Sequence, residues 1–259
     1  MRQAPKDWPT GMLTPESRIR TRGFRMPAIS TTTKQRLFGS LLSVLKKGYE
    51  PTPRTERAVL EQLLYAVLRE NAPRADADKA FRNLRERFYD WNELRVSSVH
   101  EVAAALGDLP QPGNKAGRLV ELLQEIFEST YSYDLDSVQK KGVKQAAKQI
   151  ARYRASGDFA VAWVTQRSLD GHAVPLDAPT LRTLKRLGLI DEAIDDYPSA
   201  MSAIEHQVPK AKAEQFVEAI NVLTHERCGD TPRCNGCPLK SECPSAGMKP
   251  EKAMKVKPR

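Results

Sequence analysis

Along the central part of the chain apolar residues recur at three- and four-residue spacing, and the breaks carry helix punctuation instead of strand alternation. This pattern predicts an all-α core. Thr52-Pro53 reads as a helix start ahead of Val59, Leu60, Leu63, Leu64 and Val67 on one face. Asp76 reads as the cap of the next helix, with Ala80, Phe81 and Leu84 inward. Ser98 with Glu101 three residues later resembles a capping box before Val102 to Leu106. Further helices are expected at 115–128, 136–153, 158–167, 178–187, 199–207 and 210–226. Short polar connections between roughly ten helices imply a compact bundle of antiparallel neighbours. No internal repeat at solenoid periods is visible.

The stretch 136–153 has a distinctive charge layout. Lys140, Lys144, Lys148 and Arg152 repeat every fourth residue, while Val143, Ala146, Ala147 and Ile150 lie roughly opposite. One reading is a solvated face; the other is a stripe that meets phosphates, since cations along one helix edge are the electrostatic footprint of a nucleic-acid binder.

The ends are different. Residues 1–33 have no helical or strand period and carry several prolines among arginines, which predicts a disordered basic arm. Residues 244–259 contain almost nothing apolar and read as a basic tail. The 259 residues carry 41 Lys and Arg against 32 Asp and Glu, a formal charge of +9. The arm holds six basic and two acidic residues and the tail five and one, so 34–243 is left near neutrality. Within that part, the 136–153 cations are offset by Asp191, Glu192, Asp195 and Asp196. Net charge therefore speaks for the ends more than for the core.

The longest apolar runs, such as Phe159 to Val164, fall far short of the roughly 20 residues needed to span a bilayer. The start lacks the apolar centre of a secretory signal. The expectation is a cytoplasmic, nucleoid-associated or nuclear protein with no membrane partner, in a compartment where disulfides are rare.

All four cysteines, Cys228, Cys234, Cys237 and Cys243, fall in one C-x5-C-x2-C-x5-C run. Four thiolates this close in sequence can surround one centre, and soft sulfur ligation selects zinc or an iron–sulfur cluster. Zinc sites usually pair two close knuckles; only the middle pair is close here, so the spacing leans toward a 4Fe-4S cluster, with zinc as the alternative.

The cysteine loop follows Asn221-Val222-Leu223-Thr224-His225-Glu226-Arg227, and together they resemble the cluster loop closing the endonuclease III family of helix-hairpin-helix DNA glycosylases. The first gap is one residue shorter than the family's. Upstream, Val174-Pro175-Leu176-Asp177 stands 51 residues before Cys228 and resembles the family's segment with a catalytic aspartate opening a helix. Asn114-Lys115-Ala116-Gly117-Arg118-Leu119 resembles an S-K-A-x-x-I segment, and Asn71-Ala72 with Asp78-Lys79-Ala80 resembles a stretch whose glutamine fills the gap left by an extruded base. The resemblance spans roughly 35–247. It implies a two-lobed helical bundle over 34–227 and a four-cysteine cluster loop over 228–243.

The resemblance also implies roles. Asp177 would stabilise the sugar cation and activate water. Asn71 would be a shorter gap filler, and Lys115 a DNA contact. Of the glycines of the family's phosphate-cradling hairpin only Gly157 remains. Phe159 stands 18 residues before Asp177, where lyase-competent members carry lysine; a phenylalanine cannot form an imine, so strand-cleaving activity is not expected. Phe159 could instead stack on an extruded base or, four residues from Trp163, sit in the core. Asp177, just before Ala178-Pro179, is also a good helix N-cap, and the two roles are compatible. The expectation is a monomeric, monofunctional DNA N-glycosylase acting on damaged or mismatched double-stranded DNA. The alternatives are a catalytically inactive DNA-binding protein on the same scaffold and a zinc-loop nucleic-acid interaction protein.

Overall fold

A computed structural model of the chain describes residues 30–48 and 57–246. Among the described residues there are eleven α-helices and one 3-10 helix, and no strand. In chain order the α-helices are α1 Thr31–Gly48, α2 Val59–Arg69, α3 Arg74–Arg87, α4 Trp91–Val96, α5 Val99–Leu106, α6 Pro112–Thr130, α7 Val143–Ile150, α8 Gly157–Arg167, α9 Ala178–Arg186, α10 Tyr197–Glu205 and α11 Lys210–Glu226. None is long and apolar enough to cross a membrane.

Local chemistry accounts for several boundaries. The Ser98–Glu101 capping box opens α5 with both reciprocal bonds present. Asp177 and Thr180 make a second one at α9, with Pro179 in its first turn. Asp196 caps α10 by accepting from the Ser199 N–H at 2.8 Å. Elsewhere a distant residue does the work: α2 has no side-chain cap of its own, and the Val59 N–H donates instead to Asp136 Oδ1 at 3.1 Å. Four sequence expectations are corrected. Asp76 lies inside the first turn of α3, whose cap is Pro73. The expected helix 136–153 is broken at Gly142, whose φ of 76° ends the 3-10 helix Asp136–Lys141 before α7 begins. The supposed arm gives up its last three residues, 31–33, to α1. In the supposed tail, Ser245 Oγ donates to the Arg186 carbonyl at 2.8 Å. Thr52 and Pro53, the rest of the arm and the rest of the tail lie outside the described residues.

The helices form two groups by contact. One joins α2, α3, α5, α6, α7 and α8, with α4 laid on α6; the other sets α1 and α9 on α11. Phe38 of α1 stacks on Phe216 of α11, with centroids 5.6 Å apart. A single buried cluster runs through both groups, from Leu37 and Leu41 through Leu63, Leu64 and Leu119 to Ile220 and Leu223. Charge is buried where the groups meet: Arg69 of α2 and Arg167 of α8 both pair with Glu218 of α11, at 3.5 and 2.8 Å. The end of α2 thereby faces the start of α9.

Candidate active site

Asp177 is 2% exposed, and both of its carboxylate oxygens accept hydrogen bonds. Oδ1 accepts from the Thr180 N–H at 3.0 Å and from the Thr180 hydroxyl at 2.6 Å. Oδ2 accepts from the Asn71 N–H at 2.8 Å. In return, Asn71 Oδ1 accepts from the Ala178 N–H at 3.3 Å, so the turn after α2 and the first residue of α9 hold each other reciprocally. Three donors at the start of α9 fix the orientation of the carboxylate.

Lys115 lies behind this pair. It is 3% exposed, and its Nζ donates to the carbonyls of Leu68 and Glu70, each at 2.6 Å. This overturns its expected role as a DNA contact: an ammonium spent on two buried carbonyls has no phosphate to meet. Burial pulls its pKa down to about 8, against the opposing pull of the Glu70 carboxylate. Glu70 in turn accepts from Arg118 at 2.6 Å, and the same guanidinium donates to the carbonyls of Ala155 at 3.2 Å and Ser156 at 2.8 Å. Arg118 thus ties the site to the turn before Gly157, which keeps a φ of 71° as the first residue of α8. A side chain at Gly157 would meet Arg118 Nη2 at 3.2 Å. The Ala155 N–H of this turn is occupied by Glu125 Oε2 at 3.2 Å.

Phe159 is 5% exposed and stacks on Trp163, centroids 5.8 Å apart, so the core reading holds and the base-stacking one does not. The Arg167 guanidinium covers the same indole at 4.6 Å. The basic stripe is solvent-facing: Lys140, Lys144, Lys148 and Arg152 are all exposed, although Lys140 belongs to the 3-10 helix and Arg152 to the turn after α7.

Several neighbours of Asp177 carried no sequence signal. Tyr197, the first residue of α10, has its pKa raised by burial and then by the Asp177 and Glu70 charges. His225, in the last turn of α11, has its pKa lowered by burial against the pull of Asp177. Both come from segments far from residue 177 in sequence. Arg118 was within reach of sequence reading, since it belongs to the Asn114–Leu119 segment.

The cysteine loop packs on the far end of α9. Cys228, Cys237 and Cys243 lie against the core, and Arg186 Nη1 sits 3.6 Å from Cys228 Sγ while bonding the Gly229 carbonyl at 2.6 Å. The Cys243 thiol is pushed up first by burial, and the other three sulfurs act on it as well. Four cysteines carried by one short loop are, by residue type, a donor set suited to a thiophilic centre. Among the described residues, no three His, Cys, Asp or Glu side chains are gathered to hold a single metal ion.

Solved structures share this arrangement of helices. A trapped endonuclease III–DNA covalent intermediate superposes with a TM-score of 0.63 at 16% identity, over 83% of this chain and 96% of its own. The fold is that of the helix-hairpin-helix DNA glycosylases. A thermostable thymine-DNA glycosylase shares this glycosylase fold with a TM-score of 0.60 at 16% identity, over 82% of this chain and 95% of its own. The H. pylori 3-methyladenine DNA glycosylase bound to 1,N6-ethenoadenine gives 0.56 at 16% identity, over 75% and 97%. No family model and no curated protein matches the sequence.

Proposed function

We propose that the chain is a monofunctional DNA N-glycosylase acting as a monomer on damaged or mismatched bases in double-stranded DNA. The observation that carries this is the Asp177 carboxylate, held by three donors at the start of α9 on a glycosylase fold. Base departure leaves positive charge on the sugar, and a fixed carboxylate stabilises it without reorganising. The same group can orient and deprotonate the attacking water. At the position expected for a lysine nucleophile, the Phe159 ring offers no amine, so excision stops at the abasic site.

Cys228, Cys234, Cys237 and Cys243 would hold a 4Fe-4S cluster, whose contribution when bound is to fold and stiffen the loop. The exposed Arg227, Arg233 and Lys240 then supply cations for phosphates. The donor chemistry supports this, and iron and sulfide analysis of anaerobically purified protein checks it; zinc without sulfide overturns it.

Duplexes carrying a panel of base lesions, incubated in single-turnover excess of protein, test the activity. Base release with strand breakage only after alkali is expected, and spontaneous strand cleavage contradicts the assignment. A second reading, DNA binding without chemistry, is favoured by the 2% exposure of Asp177; it prevails if no lesion is excised while duplexes are bound.

A further inference from the structure

Lys115 is a buried cation near Asp177 that the proposed chemistry leaves without a task. Its Nζ gathers two carbonyls, of Leu68 and Glu70, at the end of α2. Those bonds fix the path on which the chain enters Asn71. Asn71 takes a φ of 57°, in the left-handed region where a residue with a Cβ needs outside support. In that conformation its N–H meets Asp177 Oδ2 at 2.8 Å. On the other side, the Ala72 carbonyl is bonded by Arg69 Nη1 at 2.6 Å. Buried cations therefore brace the turn 70–72 before and after Asn71, and the turn presents one amide to the carboxylate.

The geometry points to Lys115 as a positioning residue for Asp177, acting through the backbone amide of Asn71. A phosphate contact is incompatible with 3% exposure, and a nucleophile with an Nζ pinned to two carbonyls. The inference rests on Asp177 being the reacting carboxylate, but its core is a mechanical link that is measurable without any substrate.

The test compares Lys115→Met with the wild-type chain by amide hydrogen exchange at Asn71, single-turnover excision and DNA affinity. Exchange at Asn71 should rise at least about tenfold while Leu63 and Leu64 keep their protection. The excision rate should fall roughly 10²-fold with DNA affinity unchanged, and Lys115→Arg, which keeps charge and donors, should recover part of it. An Asn71 amide that exchanges as in the wild type overturns the link. So does weaker DNA binding with a shallower salt dependence, which would make Lys115 a phosphate contact, or a borohydride-trapped DNA adduct that disappears in Lys115→Met, which would make it a nucleophile. If Lys115→Met does not fold, Lys115→Gln keeps a terminal NH2 donor group on a shorter, uncharged side chain: an intermediate rise at Asn71 supports the link and wild-type exchange refutes it. Should the wild type excise no lesion while Asn71 exchange still responds to residue 115, the positioning stands and the glycosylase reading fails.

Discussion

Replacing Asp177 by serine separates the two duties of this residue. Serine caps a helix about as well as aspartate, so the Thr180 N–H keeps an acceptor. What disappears is the negative charge at the α9 N-terminus, worth about 0.3–2 kcal/mol, and the acceptor for the Asn71 N–H, whose orphaning costs about 1–3 kcal/mol. The sum is about 1–5 kcal/mol. At about 2–4 °C per kcal/mol for a chain of this size, Tm should drop on the order of 10 °C. The chain stays folded at assay temperature. Excision should nevertheless fall by about 10²–10³-fold, the scale of losing one preorganised electrostatic group. Thermal melts and single-turnover base release on the same preparation give both numbers. A rate within about twofold of the wild type at the lowered Tm would refute the catalytic argument and leave Asp177 as a cap alone.

Other consequences can be measured independently. Arg118→Ala removes the Glu70 pair and two bonds to the turn before Gly157; because both partners are partly exposed, the expected cost is about 1–3 kcal/mol, read by urea unfolding. Gly157→Ala forces a Cβ into the left-handed region and against Arg118, and should lower stability by about 1 kcal/mol or more in the same assay. If Lys144 and Lys148 meet phosphates, replacing both by Gln flattens the log–log salt dependence of duplex binding by about 0.9 per lost contact, whereas an unchanged slope leaves them solvated. Lys115 also sets a pH dependence. Its folded pKa of about 8 lies below the unfolded value, so between about 8 and 10.5 the unfolded chain holds more protons. Stability contributed by this group therefore rises with pH across that window, by on the order of 3 kcal/mol, and Lys115→Met should abolish the rise in denaturant titrations at successive pH values.

What was legible in the sequence was what the chain decides locally. Ser98 with Glu101, and Asp177 before Ala178-Pro179, act within a few residues, and both caps stand where sequence reading puts them. The break at Gly142 was overlooked because the four-residue lysine spacing runs straight across it. Lys115 was misread for a different reason: residue type and context suggested a phosphate contact, but its partners are carbonyls 45 and 47 residues away. The same holds for Arg118, whose partners Glu70, Ala155 and Ser156 lie 37–48 residues off in both directions. By residue type Phe159 suits base or core, and its stacking on Trp163 places it in the core.

The left-handed backbone at Asn71 narrows what can stand there. Few residue types adopt that conformation cheaply; asparagine, aspartate and glycine are foremost among them. Glycine would drop the side-chain acceptor for Ala178, and aspartate would set a second carboxylate beside Asp177. Spontaneous deamidation at this one position would make the latter change without any mutation, adding repulsion where Asp177 is held and giving aged preparations a lesion of their own.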